Sequence, residues 1–342
     1  MVNINKKDLE RRKNHHYVWA YYMQRWSFDK RQVYYTTKNN NDIRLEYIKK
    51  IAAESHFYRV KPLTLEHVQT IIKWSSKCPN DLHKLHMIYL SDYLIMQSLE
   101  SRYKQSDKKD EIIDQIIEAW KCNGIENYHT AHELEVRVIL DALANRDFSV
   151  LDKDENMNDF MAFIGQQIAR TKNIKDTVSN IKDGSRAALD MPSQELADNM
   201  KKLMLECWWF MSYMFGMNLG RSLYLDRKDN THCLLINDTD MSFITSDQPI
   251  VNVHQALTDE IRPVEDHESD LYYPISPNVA YMINKSNRFP SGSVQVSVDV
   301  VREMNIKVAK RANFHIIGNS EESLKPYKKY VGSNLRAVKK SI

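Results

Sequence analysis

Glycine is scarce in this chain, with only 8 in 342 residues. The glycines are scattered, and no G-x-G-x-x-G or G-x-x-x-x-G-K-[ST] can be assembled from them. Those loops hold phosphates on main-chain N–H groups, which glycine allows a ligand to approach closely. The sequence therefore excludes a Rossmann-type dinucleotide site and a P-loop.

Cysteine and long apolar runs are also scarce. The 4 cysteines form no C-x-x-C pair, which argues against a zinc knuckle and a disulfide framework and favours a reducing cytoplasm. The strongest apolar run, 207–220, has 14 residues, fewer than the ~20 that span a bilayer. The first residues lack the apolar segment of a signal peptide. We therefore expect a cytoplasmic protein without a membrane segment.

The chain has no large excess of charge of either sign. Lys+Arg number 48 and Asp+Glu 45, so a nucleic-acid partner would need a local basic surface. Both ends are basic: residues 1–31 carry 8 − 3 = +5, and residues 321–342 carry 6 − 2 = +4. These ends would attract phosphates if the fold brings them together; the alternative is that they are solvated ends.

Most of the middle of the chain has the apolar spacing of helices. Apolar residues recur every three or four positions in 64–74, 81–104, 110–121, 131–145, 156–181 and 193–221. Ser193 is expected to cap the last of these helices. A further helix is expected near the C-terminus, with Val301, Met304 and Val308 on one face. β-rich runs stand on both sides of the helical middle: QVYYTT before it, and LYL, HCLLIN, SFITS, LYYPIS, NVAYMIN, SVQVSV and NFHIIGN after it.

This order predicts an α+β fold, with a central helical region flanked by N-terminal and C-terminal β-rich segments that form a mixed or antiparallel sheet. LYL, HCLLIN and SFITS are typical of an antiparallel meander. We expect a single composite domain over 1–342. Its parts are an N-terminal β-containing segment (1–62), a helical region (63–221), a β-rich C-terminal segment (222–320) and a basic tail (321–342).

Histidines supply the first candidate site residues. His15 and His16 are adjacent, so their side chains point in different directions and one can act at a site while the other packs. Imidazole suits a general base, a proton donor or a metal ligand. The alternative is that both are polar residues packed among aromatics. The i, i+3 pairs His83/His86 and His129/His132 are better explained as helix surface residues than as metal ligands.

Two further motifs offer polar groups. Gln167 and Arg170 share a helix face, where they would suit a phosphate or a carboxylate. A structural arginine bonded to loop carbonyls is the alternative. Ser246 and Asp247 follow an apolar strand, where a carboxylate is suited to acid–base work or metal binding. Bonding to the nearby backbone is the alternative for that pair.

Several different short motifs follow one another along the chain. They are His15-His16-Tyr17-Val18 with Arg25-Trp26, AAESHFY with Glu54, Gln167 with Arg170-Thr171, Thr245-Ser246-Asp247-Gln248-Pro249, YYPISP, and Asn305. In these motifs the chain resembles the bacterial domain of unknown function family 4238, from about residue 15 to 318. The resemblance implies that the polar residues converge at one site, and that the protein is a bacterial accessory-gene product of the kind found among phage-defence loci.

Together these observations predict a phosphodiester hydrolase, a nuclease acting as a phage-defence or toxin-like effector. The alternative is a non-catalytic module that binds a nucleotide or a protein. The candidate catalytic residues are His15, His16, Glu54 and Asp247. The candidate phosphate- or substrate-binding residues are Gln167, Arg170, Ser246 and Arg25. The sequence leaves the cofactor open, with a divalent metal as one option. RNA or DNA, a partner protein and a second copy of the chain are the partners considered.

Overall fold

A computed structural model of the chain describes residues 9–38, 42–180, 192–255, 257, 267–286 and 288–334. Its content of 56% helix and 15% strand confirms the α+β class. Two helices begin directly after a residue whose side chain caps the helix N-terminus. The Thr64 side chain accepts a hydrogen bond from the His67 N–H, and the Ser193 side chain accepts one from the Leu196 N–H, as expected.

Most helices lie in the middle of the chain, and most strands lie before and after them. The helices are α1 (Ala20–Met23), α2 (Leu65–Ser75), α3 (Asn80–Gln105), α4 (Glu111–Ala144), α5 (Asp154–Ala169), α6 (Lys172–Asn180), α7 (Gln194–Glu206), α8 (Trp208–Leu225), α9 (Val298–Arg311) and α10 (Glu321–Leu324). The strands are β1 (Asn14–His16), β2 (Gln32–Thr36), β3 (Ile43–Tyr47), β4 (Ala53–Ser55), β5 (Thr231–Ile236), β6 (Thr245–Ser246), β7 (Val251–Asn252), β8 (Asp270–Ser276), β9 (Val279–Asn284), β10 (Gly292–Gln295) and β11 (Ile316–Gly318).

Within the described residues the strands form three sheets. Five strands lie in the order β10-β5-β9-β8-β7, in which β10 is parallel to β5 and the other pairs are antiparallel. Four antiparallel strands lie in the order β3-β2-β11-β6, and β1 pairs with β4. One sheet is thus mixed and another antiparallel, which confirms the predicted β architecture.

The predicted meander over 222–246 is wrong. LYL forms the last turn of α8 instead of a strand, and Tyr224 there donates a hydrogen bond to Asp154 at 2.6 Å. Three β-favouring residues are too few to end a helix that is already formed and docked. The runs HCLLIN and SFITS belong to different sheets, because β5 pairs with β9 and β10 while β6 pairs with β11.

The chain forms two compact units, each assembled from three segments. Unit 1 comprises 1–15, 54–131 and 174–218 and is mainly helical. Its predicted helix 110–121 continues without a break into 131–145, as the single helix α4. The apolar spacing is interrupted there because Asn123 and Asn127 bond to the N-terminal segment, accepting from the Arg12 main chain at 2.9 Å and its side chain at 3.2 Å.

Unit 2 comprises 16–53, 132–173 and 219–342 and contains both large sheets. Val301, Met304 and Val308 lie on the buried face of α9, as the sequence predicts, and join the apolar core formed with the strands. Helices α5 and α8 approach closely at Gly220, where a Cβ atom would lie 2.8 Å from the Ala162 Cα. Only glycine fits that crossing without a shift.

The unit boundaries differ from the segment boundaries predicted at 62, 221 and 320, because each unit combines distant parts of the chain. The single composite domain stays a prediction. The basic ends fall partly on residues 1–8 and 335–342, outside the described residues. No helix in the described part of the chain is long and apolar enough to cross a membrane.

Candidate functional site

His15 is held inside unit 1 by main-chain bonds to both ring nitrogens. Its Nδ1 accepts from the Tyr58 N–H at 2.8 Å, and its Nε2 lies 2.8 Å from the Arg12 carbonyl oxygen. The ring is buried and stacks on Tyr58 with centroids 5.7 Å apart. Burial lowers the pKa of His15, which favours the neutral imidazole carrying its proton on Nε2. Its predicted catalytic role would require breaking one of these bonds.

His16 belongs to unit 2, although it adjoins His15 in the chain. Both residues lie in β1, where neighbouring side chains point to opposite faces. His16 is half-buried. The sequence prediction that the two imidazoles play different roles fits this placement, and the catalytic role of His16 stays a prediction.

Gln167 and Arg170 lie together at the end of α5, buried in unit 2. The Gln167 amide donates to the Tyr17 carbonyl at 2.9 Å, and its oxygen accepts from the Arg170 guanidinium at 2.6 Å. Arg170 also forms an ion pair with Glu133 at 2.7 Å. Burial raises the pKa of Glu133, while the charge and hydrogen bond of Arg170 oppose that rise. The guanidinium thus already has a carboxylate partner.

Asp247 is buried and binds the main chain of the segment before β11. Its two oxygens accept N–H bonds from Asn313 at 2.8 Å, Phe314 at 2.7 Å and His315 at 3.2 Å. Burial raises the pKa of Asp247, while His315 and the three N–H donors oppose that rise. A carboxylate that accepts three main-chain bonds ties two chain segments together.

The Ser246 side chain bonds to the nearby backbone, which is the alternative that the sequence offered for this residue. Its hydroxyl donates to the Gln248 carbonyl at 2.7 Å and accepts from the Gln248 N–H at 3.0 Å. The Gln248 side chain donates to Thr171 at 2.9 Å, which connects this turn to the residue after Arg170. We call Glu133, Gln167, Arg170, Ser246 and Asp247 the buried polar network.

Arg25 lies beside this region on the short helix after α1. Its guanidinium pairs with Asp141 at 2.7 Å and lies 5.0 Å from the centre of the Tyr21 ring. Tyr21 donates to the same carboxylate at 2.8 Å. The substrate-binding roles of Arg25 and of the buried polar network stay predictions. Each of these side chains has at least one internal partner, although Nη1 of Arg25 is buried without a hydrogen-bond partner among the described residues.

A cleft of about 90 Å³ opens in unit 1, next to Glu54. Its walls combine carboxylates, cationic side chains, an imidazole and aromatic rings. They are Glu54, His56, Phe57, Arg59, Lys61, Lys175, Leu205, Glu206, Trp208 and Trp209. A cleft of this volume admits a few water molecules or a phosphoryl group.

His56 is exposed in this cleft, in a backbone conformation that few residues adopt. Its φ is +58°, and two main-chain bonds fix it there: its N–H donates to the Lys13 carbonyl at 2.8 Å, and its carbonyl accepts from the Arg59 N–H at 3.1 Å. Left-handed geometry at a non-glycine residue costs free energy and is enriched at functional sites. The His56 ring lies 6.5 Å from the ring of His15, which is buried behind it.

The cleft offers donors to a negatively charged group. Arg59 is anchored by Glu118 at 2.7 Å and by the Cys122 thiol at 3.0 Å, and its bond to Glu118 raises its pKa. Lys61 is exposed. The indole N–H of Trp209 is buried and has no hydrogen-bond partner among the described residues.

Sequence reasoning identified Glu54 here and missed its neighbours. His56 lies in the quoted run AAESHFY, two residues after Glu54. That proximity to a candidate residue was the signal that the sequence offered. Lys175 and Trp209 come from segments more than 110 residues further along, and nothing in the sequence links them to Glu54.

The interpretation of the helix histidine pairs as surface residues is wrong for His86 and His129, which are buried. His83 and His86 both bond to the Ser75 hydroxyl, at 2.7 and 2.9 Å, and His129 packs on Tyr58 and Tyr213. Within the ranges that the structure describes, no three His, Cys, Asp or Glu side chains are grouped so as to hold a metal ion.

Comparison with known proteins gives one match. The family model of DUF4238, described as a protein of unknown function, matches residues 14–322. No curated protein and no solved structure matches the chain.

Proposed function

Because this chain belongs to the DUF4238 family, whose description names no activity, we propose a function from the geometry: the protein binds a nucleic-acid phosphodiester at the cleft of unit 1 and hydrolyses it. The observation that carries the proposal is the joint position of Glu54 and His56, an acid–base pair, among Arg59, Lys61 and Lys175. Cationic groups around a potential acid and base are what hydrolysis of a phosphodiester requires.

The size and donors of the cleft favour a phosphate as the bound group. A phosphoryl group fills the volume, while the sugar and base stay outside. Lys61 supplies a mobile charge and Arg59 a fixed guanidinium. Such a site holds one phosphate of a strand without reading the base.

The acid–base pair gives the reaction a route with balanced protons. Glu54 takes the proton of the attacking water as its oxygen bonds to phosphorus. The P–O bond to the leaving oxygen breaks, and His56 gives that oxygen a proton. Negative charge gathers on the two non-bridging oxygens, where Arg59, Lys61 and Lys175 stabilise it. His15 acts as a positioning residue, because its bond to Tyr58 fixes the turn after β4.

The cellular setting proposed for this reaction is the bacterial cytoplasm, as part of a phage-defence or toxin-like system. The cysteines at 78, 122, 207 and 233 are all free thiols, which fits a reducing compartment. The basic ends of the chain would add attraction for RNA or DNA.

The test is hydrolysis of single-stranded RNA, tRNA and DNA by the full chain, with magnesium, with manganese and with EDTA. We expect turnover that falls at least 100-fold in His56→Asn and in Glu54→Gln. Asparagine suits the left-handed backbone of residue 56, so that variant removes the imidazole and keeps the turn. We expect Lys61→Gln to raise KM, since it removes charge at the phosphate.

Lys84→Gln is the matched control, because Lys84 is an exposed lysine of unit 1 outside the cleft. Wild-type turnover no faster than that of His56→Asn would contradict the proposed hydrolysis. Equal effects of the Lys61 and Lys84 variants on KM would contradict the proposed phosphate position.

Binding without chemistry is the second candidate, and one observation favours it. Two side chains that line the cleft already have ionic partners: Glu206 pairs with His67 at 2.9 Å, and Arg59 pairs with Glu118. Fluorescence titration with 5′-labelled oligonucleotides separates the two functions. Binding lost in Lys61→Gln, with no cleavage by the wild type, would assign a binding module.

A further inference from the structure

A cluster of aromatic rings and lysines lies on the surface of unit 2. The Nζ atoms of Lys38 and Lys172 lie 4.2 and 5.9 Å from the centre of the Phe314 ring. The His315 ring lies 6.1 Å from the Phe314 ring and 5.3 Å from the Tyr35 ring. We call these five residues the Phe314 surface. Residues from three distant parts of the chain therefore meet around one ring.

The Phe314 surface is open to solvent and carries positive charge. Lys38 is exposed, and the other four members are half-buried. Arg44 pairs with Tyr35 between β3 and β2, so its exposed side chain lies on the same face of the sheet. Glu46, the next residue on that face of β3, is paired with Lys50 at 3.1 Å. Arg44 therefore adds positive charge beside Tyr35.

Asp247 holds the two residues at the centre of this surface. Its carboxylate accepts from the Phe314 N–H at 2.7 Å and from the His315 N–H at 3.2 Å. The His315 Nδ1 donates to the Thr36 carbonyl at 2.6 Å, which orients the imidazole. The backbone that carries both rings is thus fixed by a member of the buried polar network.

The residue after Asp247 holds the segment that carries Lys172. The Gln248 side chain donates to the Thr171 hydroxyl at 2.9 Å, and Thr171 directly precedes Lys172. A surface whose backbone is already ordered loses less conformational entropy when a ligand binds. The motif 245–249 therefore fixes two of the segments that form the Phe314 surface.

We propose that the Phe314 surface binds single-stranded nucleic acid, with phosphates at Lys38 and Lys172 and a base against the aromatic rings. Cationic side chains that hold the backbone, interleaved with rings on which bases stack, are typical of single-strand binding without sequence preference. A small inorganic anion would use the lysines and leave the rings without a role. A duplex keeps its bases paired and stacked inside, so it would not use the rings either. The class of ligand rests on the proposed function, while the residues that bind it differ from those of the cleft.

Fluorescence anisotropy of 5′-labelled oligo(U) tests the proposal. The titration uses the full chain carrying His56→Asn, so that hydrolysis at the cleft does not shorten the ligand. We expect a dissociation constant on the order of 10 μM at low salt. Lys38→Gln and Lys172→Gln should each weaken binding at least threefold. Each should also lower the slope of log Kd against log salt concentration by about 0.7, the contribution of one phosphate contact on a single strand.

Phe314→Leu should weaken binding at least fivefold, because it removes the ring and keeps an apolar side chain. Far-UV circular dichroism checks that this variant is folded, and the lysine variants test the proposal independently of it. Lys228→Gln is the matched control, since Lys228 is an exposed lysine of unit 2 just before β5, in the other large sheet. We expect this control to bind oligo(U) with unchanged affinity and salt slope.

Equal losses in Lys228→Gln and Lys38→Gln would overturn the proposal. So would competition by inorganic polyphosphate or by duplex RNA that is as strong as competition by unlabelled oligo(U) at the same phosphate concentration, because neither uses the rings. Binding that is lost only in Lys61→Gln would also overturn it, and would keep the proposed function. Binding that depends on Lys38 and Lys172, without cleavage by the wild type, would contradict the proposed hydrolysis and support the Phe314 surface.

Discussion

The buried polar network of unit 2 and the cleft of unit 1 contain similar polar side chains, but those of the network are bonded internally and those of the cleft are exposed. In the network, Arg170 has Glu133 and Gln167 as partners, and Asp247 accepts three main-chain N–H bonds. In the cleft, His56 and Lys61 face solvent. A polar group that is already bonded contributes to folding, while one that is held in place and exposed can bind a ligand.

Substitution in the network should therefore reduce stability, and substitution in the cleft should reduce function. Chemical unfolding, followed by circular dichroism and by tryptophan fluorescence, measures the free energy of unfolding in each case.

Arg170→Met should have the largest effect. It leaves Glu133 buried without its cation, and breaking a buried ion pair costs about 3–5 kcal/mol. Arg170→Met combined with Glu133→Leu should regain part of that loss, because no unpaired charge remains. A single variant as stable as the wild type would show that the pair does not support the fold.

Asp247→Asn should cost about 1–3 kcal/mol, the usual penalty for a buried hydrogen-bonding group left without its partner. The amide keeps one acceptor oxygen, so at least one of the N–H groups of 313–315 loses its acceptor. If Asp247 is instead a catalytic residue, as the sequence suggests, Asp247→Asn would stay as stable as the wild type and lose activity.

His15 should make stability fall in acid. Its pKa is lowered in the folded protein, mainly by burial, so below about pH 6.5 the unfolded chain takes up a proton that the folded chain resists. The stabilising contribution is present above that pH and is lost as the pH falls through the folded pKa. His15→Leu should cost about 1–2 kcal/mol at pH 7.5 by leaving the Tyr58 N–H without an acceptor.

The pH profile provides the control for His15. The fall in unfolding free energy from pH 7.5 to 5 should be smaller in His15→Leu than in the wild type, because the variant lacks the imidazole whose pKa burial lowers. Equal falls in wild type and His15→Leu would contradict the account of His15.

His56→Asn and Lys61→Gln should have the smallest effect on stability, within about 0.5 kcal/mol of the wild type. Both side chains are exposed, and asparagine accepts the left-handed backbone at 56. A loss above 1.5 kcal/mol in either variant would place that side chain among the structural groups.

The sequence predicted the α+β class and much of the element order, because apolar periodicity reports which face of each segment is buried. It failed where tertiary contacts outweigh local preference. LYL stayed helical against Asp154, and the polar stretch around Asn123 stayed helical through bonds to Arg12. Neither contact leaves a local signal.

The candidate site was harder to predict than the fold. Ordered polar motifs identified residues that the fold needs, and many of these bond to the main chain or to each other. A sequence pattern does not distinguish a polar residue that only makes structural hydrogen bonds from a reactive one, since both are polar residues among apolar neighbours. Exposure and left-handed backbone geometry, which distinguish His56 from the other residues that line the cleft, exist only in the folded chain.

The most direct test of the central claim compares kcat/KM for RNA hydrolysis in His56→Asn and Asp247→Asn, both under conditions where circular dichroism shows a folded protein. We expect a loss of at least 100-fold in His56→Asn and less than fivefold in Asp247→Asn. Wild-type kcat/KM in His56→Asn together with a 100-fold loss in Asp247→Asn would contradict it and place the reactive site in unit 2.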